Sequence, residues 1–439
     1  MKILYNLAFL IFGFFYFPFF ALRLRQEKEK GRLLSQRIGF FSRNFREELA
    51  GKQVLWVHAV SVGEVFAARP LIEKLERQLE GWKIVVSTVT PTGQALAKKL
   101  FPQFPVIYFP FDLSGSTKRT LEAIRPSMIL LMETEIWPNL ILSAWESRIP
   151  VGIVNGRLSP RSYKRYCSLR SLFRGILNKI SFFLVQFQWD SDRLQEIGVD
   201  ASKILITGNM KFDVSVGADQ DTAAGLKSRF LTSGKEKIII AGSTHNGEES
   251  ILIEVFRKLR FEFPDLKLLI APRHVQRAGK ITRLVERSHF RCQLASQGLS
   301  QPVRDILILD AMGELKKWYA AADLVFMGGS LVKHGGQNPI EAALFGKPIL
   351  FGPHVFNFQM IYEAMLKEKA GIQVYNDKEL YEFLRKMLLE PSFAKEMGAK
   401  ALQLIEKFQG ATQRNADFVR HFLKDGKKDW AGEELTLAR

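Results

Sequence analysis

Acidic side chains stand at two places where an apolar run gives way to a helical pattern, and a carboxylate at such a handover can act as a general base. The first is His58-Ala59-Val60-Ser61-Val62-Gly63-Glu64, directly after the apolar run 54–57. A helix start offers exposed N–H groups and a positive dipole end, and Gly63 permits close approach, so the stretch suits an active-site floor. Ser61-x-x-Glu64 also fits a capping box, in which the serine caps the helix and the glutamate reaches back to the cap's own N–H. From spacing alone the cap is the simpler reading. Glu133 and Glu135, in Glu133-Thr134-Glu135-Ile136-Trp137-Pro138, follow the run ending at Met132 and would share a face if extended. Two solvated acids on a loop is the plain alternative. Lys211 closes Gly208-Asn209-Met210-Lys211, after the run ending at Ile206.

A second group of residues suits anion binding. Pro272-Arg273-His274 follows the run ending at Ile270 and brings a cation and a neutral donor together. Arginine there suits bidentate contact with phosphate, although a structural ion pair is the usual fate of a lone arginine. Met312-Gly313-Glu314 opens a helix after the run ending at Leu309. Gly328-Gly329-Ser330 is followed by Gly335-Gly336-Gln337-Asn338-Pro339-Ile340-Glu341. Paired glycines let backbone N–H groups approach an anion, Asn338 is a good N-cap, and Pro339 falls where a missing N–H costs nothing. This reads as a phosphate site, with Glu341 placed to accept from ribose hydroxyls; capping fits Glu341 equally well.

The elements that must position these residues alternate. Strands are expected at 54–57, 84–88, 106–109, 128–132, 151–154, 182–186 and 204–206, with helices at 65–79, 93–100, 116–124, 140–146 and 192–197. After a Gly, Ala, Asp, Thr and Ser-rich stretch at 215–234, the alternation restarts with strands at 238–241, 266–270, 306–309, 324–327 and 349–350. Helices there are expected at 248–262, 275–287, 315–321, 339–345 and 361–369. The pattern predicts an α/β chain of two tandem doubly wound, Rossmann-like domains with parallel sheets, whose ligands sit beyond the strand carboxyl ends. The expected division is 1–25 as an anchor, 26–214 and 237–410 as the two domains, 215–236 as linker, and 411–439 as a C-terminal helix and tail. A catalytic cleft between the domains follows as an expectation.

At 439 residues the chain is too long for one ordinary core, and its 47% hydrophobic and 25% charged residues are those of a globular protein. The net charge of +18 implies a polyanionic partner: nucleic acid, an anionic membrane surface or a phosphorylated substrate. Two cysteines, Cys167 and Cys292, argue against a disulfide framework or structural zinc. Residues 3–22 form an uncharged, Phe-rich apolar run broken only by Asn6, Gly13 and Pro18, long enough to cross a bilayer. It runs straight into Arg23-Leu24-Arg25 with no small-residue cleavage site, which predicts an uncleaved N-terminal transmembrane helix. Basic residues follow the run and only Lys2 precedes it, so the bulk of the chain is expected in the cytoplasm. The basic, aromatic stretch 159–179 is expected as an amphipathic surface helix able to meet acidic lipid.

P-loop, HExxH, GxSxG and GxGxxG patterns are absent, and no His/Cys/Asp cluster calls for a metal. Asp190-Ser191-Asp192 opens a short helix, where N-capping is expected rather than metal binding. Taken in order, HAVSVGE, STVTPTG, METEIWPN, NGRLS, GNMKFD, AGSTHNGEE, APRH and GGQNPIEA make the chain resemble the lipid IVA 3-deoxy-D-manno-octulosonic acid (Kdo) transferases of Gram-negative bacteria. Each motif alone is weak; eight in order are specific. The segment 293–305 matches least well.

The resemblance implies a GT-B architecture and inverting transfer of Kdo from CMP-Kdo to lipid IVA at the inner membrane, without a cofactor, a metal or nucleic acid. It implies Glu64 as base, Glu133 and Lys211 as groups that stabilise the transition state, and Arg273, His274, Met312, Gly313, Glu314, Asn338, Pro339, Ile340 and Glu341 as contacts to CMP. Anionic donor, anionic acceptor and anionic inner-membrane lipids would account for the net positive charge. Two rivals remain at this stage: a GT-B enzyme using another nucleotide sugar on a membrane lipid, and a non-enzymatic basic membrane protein. The number of Kdo residues transferred is not encoded in any motif.

Overall fold

The computed structural model describes residues 30–213, 236–298 and 305–425, together with 5–7, 9–11, 13, 15 and 225. Two compact units divide the chain: Met1–Asp213 with Gln409–Arg439, and Val214–Phe408. The expected linker lies, apart from Gly225 and Glu236, outside the described residues, as does most of the run 3–22. Among the described residues no helix is long and apolar enough to cross a membrane.

The first unit holds β1 (Val54–His58), β2 (Lys83–Thr88), β3 (Val106–Tyr108), β4 (Met128–Met132), β5 (Val151–Gly156), β6 (Phe182–Val185) and β7 (Ile204–Ile206). They form one parallel sheet in the order β3-β2-β1-β4-β5-β6-β7. Helices cover both faces, so β1, β4 and β5 are buried at every residue; β4 is apolar throughout, and β1 and β5 are apolar up to His58 and Asn155 near their carboxyl ends. Side chains of β1 alternate between two cores, Leu55 and Val57 in one and Val54 and Trp56 in the other. The order reverses between β1 and β4, and there the loops after the two strands diverge to leave a crevice.

The second unit repeats the plan with β8 (Ile238–Thr244), β9 (Lys267–Pro272), β10 (Cys292–Leu294), β11 (Ile306–Ile308), β12 (Leu324–Met327), β13 (Ile349–Phe351) and β14 (Ile372–Gln373). Its parallel sheet runs β10-β11-β9-β8-β12-β13-β14, reversing between β8 and β12. The edge strands β10 and β14 are additions to the expected set; both are half-buried and at most three residues long. The expected surface helix at 159–179 is two helices, Pro160–Ser168 and Arg170–Leu177, which meet at Leu169.

The last helix, Ala411–Asp425, returns to the first unit. Phe418 and Phe422 pack edge-on against Phe182 of β6 at 4.8 and 4.9 Å. Asp213 accepts from the Gly410 N–H at 2.6 Å and from the Thr412 N–H. Asn415 donates to Thr207 Oγ1 (2.9 Å) and accepts from the Asn155 N–H (3.4 Å).

Tyr5 and Asn6, which the sequence places inside the apolar anchor, are bonded to the first unit. Tyr5 donates to Asp112 at 2.9 Å; Asn6 donates to Ser114 Oγ and accepts from Asn139 Nδ2, both at 2.7 Å. Asp112 in turn accepts from the Asn139 and Leu140 N–H groups, so it caps the Pro138–Glu146 helix from outside that segment. The polar break in the apolar run is thereby matched.

Asn415 is fully buried, and replacing it with leucine strands the Thr207 hydroxyl and the Asn155 N–H. Asn415→Leu should lower the first unit's stability by about 1–3 kcal/mol, read as faster amide exchange in β5 to β7; unchanged protection there would refute the helix as a structural strut.

Candidate active site

The first unit brings Glu64, Glu133 and Lys211 together at its sheet reversal. Glu64 lies in the first turn of the Val62–Gln78 helix after β1, and Glu133 directly follows β4. Lys211 Nζ reaches Glu133 Oε1 at 3.0 Å. Its backbone is set by Asn209, whose Oδ1 accepts from the Lys211 N–H at 2.9 Å, and by Asn155, whose Oδ1 accepts from the Met210 N–H at 3.0 Å. Glu133 and Asn155 both carry positive φ, 55° and 54°, a conformation that costs a non-glycine residue energy and aims the side chain away from the strand direction.

Glu64 is neither a simple cap nor free. Ser61 makes no side-chain bond to the helix N–H groups; its hydroxyl donates to Glu64 Oε1 at 3.1 Å. Glu64 Oε2 accepts from the Val60 N–H at 2.8 Å, one residue earlier than a capping box would place it. Two donors therefore orient the carboxylate, each oxygen keeping a further acceptor position. Burial pushes its carboxyl up from the ordinary range, the Val60 N–H opposes that, and the charge of Glu133 adds to it.

Glu135, for which the sequence also allows a solvated loop position, belongs to the same cluster. Its carboxyl is pushed up to about 7, by burial first and then by the charges of Glu64 and Glu133. The i, i+2 spacing was the legible signal; the burial depends on neighbours distant in sequence. Asp190 does not cap its helix, which starts at Gln188; it accepts from the Leu158 N–H at 2.8 Å and ties down the loop after β5.

The second unit places Arg273 and His274 after β9, and Gly328 to Glu341 after β12. Arg273 and His274 are exposed, and Arg273 has no ion-pair partner among the described residues. The ring of His245, after β8, meets His274 edge-on at 5.9 Å, stacks on His334 at 4.1 Å and lies 3.2 Å from Gln337 Nε2. Burial and the neighbouring imidazoles push His245 down to about 4, so it is a neutral ring near pH 7. Met312, Gly313 and Glu314 follow β11, which β9 separates from β8 and β12; Met312 is 84% exposed. Asn338 Oδ1 accepts from the Ile340 N–H at 3.1 Å, but the N-cap of the helix Ile340–Leu344 is Pro339, one residue later than the sequence suggests, and that helix is a single turn. Glu341 lies in that turn, its carboxyl raised by burial.

One expectation is corrected. Three of the four paired glycines spend their N–H groups within the chain: Gly328 donates to Gly242 O, Gly329 to Glu248 and Gly336 to Gly329 O, and the Gln337 N–H likewise goes to Gly328 O. Among the described residues no group of three His, Cys, Asp or Glu side chains is arranged to hold a metal ion.

A carboxyl raised by folding stabilises the chain below its unfolded value and loses that contribution as pH rises through the folded one. Wild-type stability should therefore fall between about pH 5 and pH 8 partly through Glu135, and Glu135→Gln should flatten that fall. Chemical denaturation at both pH values checks it; an identical slope in the variant would place Glu135 in solvent.

The family model described as 3-Deoxy-D-manno-octulosonic-acid transferase (kdotransferase) matches residues 32–214. The 3-deoxy-D-manno-octulosonic acid transferase of Haemophilus influenzae is 33% identical over 394 residues, which cover 89% of this chain and 91% of that protein. That of Bordetella pertussis is 32% identical over 384 residues, covering 84% and 87%. A glycosyltransferase structure from Rickettsia africae superposes with a TM-score of 0.55 at 13% identity over 86% of this chain and 100% of that one, a likeness of the GT-B type of fold alone. With two parallel Rossmann-like sheets and relatives matched over most of its length, the chain belongs to the 3-deoxy-D-manno-octulosonic acid transferase family.

Proposed function

We propose that the chain transfers Kdo from CMP-Kdo to lipid IVA in lipopolysaccharide synthesis, with inversion and with Glu64 as general base. The family supports Kdo transfer. The observation that carries the mechanism is the Glu64 carboxylate, oriented by the Val60 N–H and the Ser61 hydroxyl beside the Glu133–Lys211 pair. A raised carboxyl is a stronger base than a solvated one, and one base suffices when water or an alcohol attacks from the face opposite the leaving group.

In this reading the acceptor hydroxyl gives its proton to Glu64 as its oxygen bonds to the anomeric carbon. The bond from that carbon to the phosphate oxygen breaks, and CMP departs with the electron pair. Glu133 offsets positive charge developing on the sugar, and its ion pair with Lys211 keeps it aimed. Arg273 and the residues Met312 to Glu314 and Asn338 to Glu341 are assigned to the cytidylate. The first unit is thus the acceptor-binding domain and the second the donor-binding domain.

Lipid contact has its own support. Leu7, Leu10, Ile11 and Phe15 are each more than half exposed and fall on one helical face. Arg161, Lys164, Arg165, Arg170 and Arg174 are exposed beside Leu169 and Leu172. An apolar N-terminal anchor in the inner membrane, with this basic surface against anionic headgroups, would keep the enzyme where its acceptor lies.

Incubating purified protein with CMP-Kdo and lipid IVA should give a mass increment of Kdo, and the increment also counts the residues added; product only with a different nucleotide sugar would overturn the donor assignment. Glu64→Gln should remain folded and bind CMP-Kdo while turnover falls by about 10²–10⁴-fold; near-normal turnover would remove Glu64 as base. Activity should rise with pH as Glu64 ionises. Glu133→Gln removes a charge that raises Glu64 and should move this acid limb to lower pH, whereas Lys211→Met should move it higher, each by less than about one pH unit. Superimposable limbs in both variants would mean that another group titrates.

A further inference from the structure

Glu248 opens the Glu248–Glu262 helix after β8 and is fully buried. Its Oε2 accepts from the N–H groups of His245 (2.8 Å) and Gly329 (2.7 Å), and its Oε1 from those of Ser330 and Leu331, both at 3.0 Å. Four backbone donors surround one carboxylate, with no ion pair to a cation among the described residues. One donor follows β8 and three follow β12, the two strands between which the sheet order reverses. The carboxylate therefore occupies the concavity of N–H groups that such a crevice presents, and closes it from within.

The strap it holds leads to the proposed donor contacts. Gly329 adopts φ 68° and its carbonyl accepts from the Gly336 N–H at 2.8 Å, while Gly328 O accepts from the Gln337 N–H at 3.1 Å. Gln337 precedes Asn338, and its side chain meets His245. The adjacent Glu249 does the same on the other side: it takes Arg277 in a two-point ion pair at 2.8 and 2.9 Å and the Thr244 hydroxyl at 2.9 Å, fixing the segment after β9 that carries Arg273 and His274.

We propose that Glu248 is a positioning residue for the donor nucleotide, holding the 328–337 strap in its binding shape without touching the ligand. The proposal rests on the reading of the second unit as the donor-binding domain. Glutamine at 248 would turn an NH₂ group toward two N–H donors, and the strap would have to move; aspartate keeps the charge on a shorter stem. Glu248→Gln should raise the CMP-Kdo KM and the CMP dissociation constant together by about ten-fold or more, as expected for losing charge-assisted bonds, with kcat and the lipid IVA KM within about three-fold of wild type. Glu248→Asp should recover part of the loss, and Glu254→Gln, an exposed position on the same helix, should change nothing.

Titration calorimetry with CMP reads the binding limb without any transfer, so wild-type protein that binds CMP but fails to transfer Kdo would count against the reaction and not against this role. If Glu248→Gln does not fold, Glu248→Asp carries the same criterion. A folded variant with wild-type donor KM and CMP affinity would overturn the proposal. So would a fall in kcat alone with both KM values unchanged, since that reports only fewer folded molecules.

Discussion

A parallel sheet whose strand order reverses must let two neighbouring loops leave in opposite directions, and each unit of this protein is built on one such reversal. In the first, the loops after β1 and β4 deliver Glu64 and Glu133 to the same gap; in the second, the loops after β8 and β12 deliver His245 and the 328–337 strap. The apolar cores on both faces of each sheet hold the strand ends in register. Positive φ at Glu133 and at Ser243, the latter within β8, places backbone strain at these same strand ends, and Asn155 adds it near the end of the neighbouring β5.

The protein is strongly basic overall, yet its sites are organised around buried or half-buried carboxylates. Glu64 is disfavoured as an anion by burial and by the charge of Glu133, and Glu135 by burial and by the charges of Glu64 and Glu133, which supplies basicity. Glu248 is likewise penalised by burial, but four N–H donors oppose that penalty. The neighbouring buried Glu249 is paired with Arg277 instead. The two kinds differ in what remains free: each oxygen of Glu64 takes one bond and keeps acceptor capacity, whereas each oxygen of Glu248 already takes two.

The central strands were legible because burial on both faces leaves only apolar residues, as in 54–57 and 128–132. Edge strands β10 and β14, half-exposed and very short, carry no such run. Motif spacing located Glu64 but misassigned its partner by one residue, since which N–H it meets depends on the path of the loop from Val60 to Val62. The glycines after β12 were correctly expected at a close backbone approach, but the approach is to other parts of the chain. Asp190 has the composition of an N-cap and is spent on a contact 32 residues away in sequence, which local pattern cannot reveal.

The return of the last helix to the first unit has a consequence for how the protein is made. The second unit is one continuous stretch, whereas the first is closed by residues that follow it. Asn415 lies 208 residues beyond Thr207, an interval of about 10–40 s at ordinary rates of synthesis. During that time the face of β6 around Phe182 lacks Phe418 and Phe422, and the nascent chain presents an apolar surface to its surroundings. The domain begun first on the ribosome is thus the one completed last.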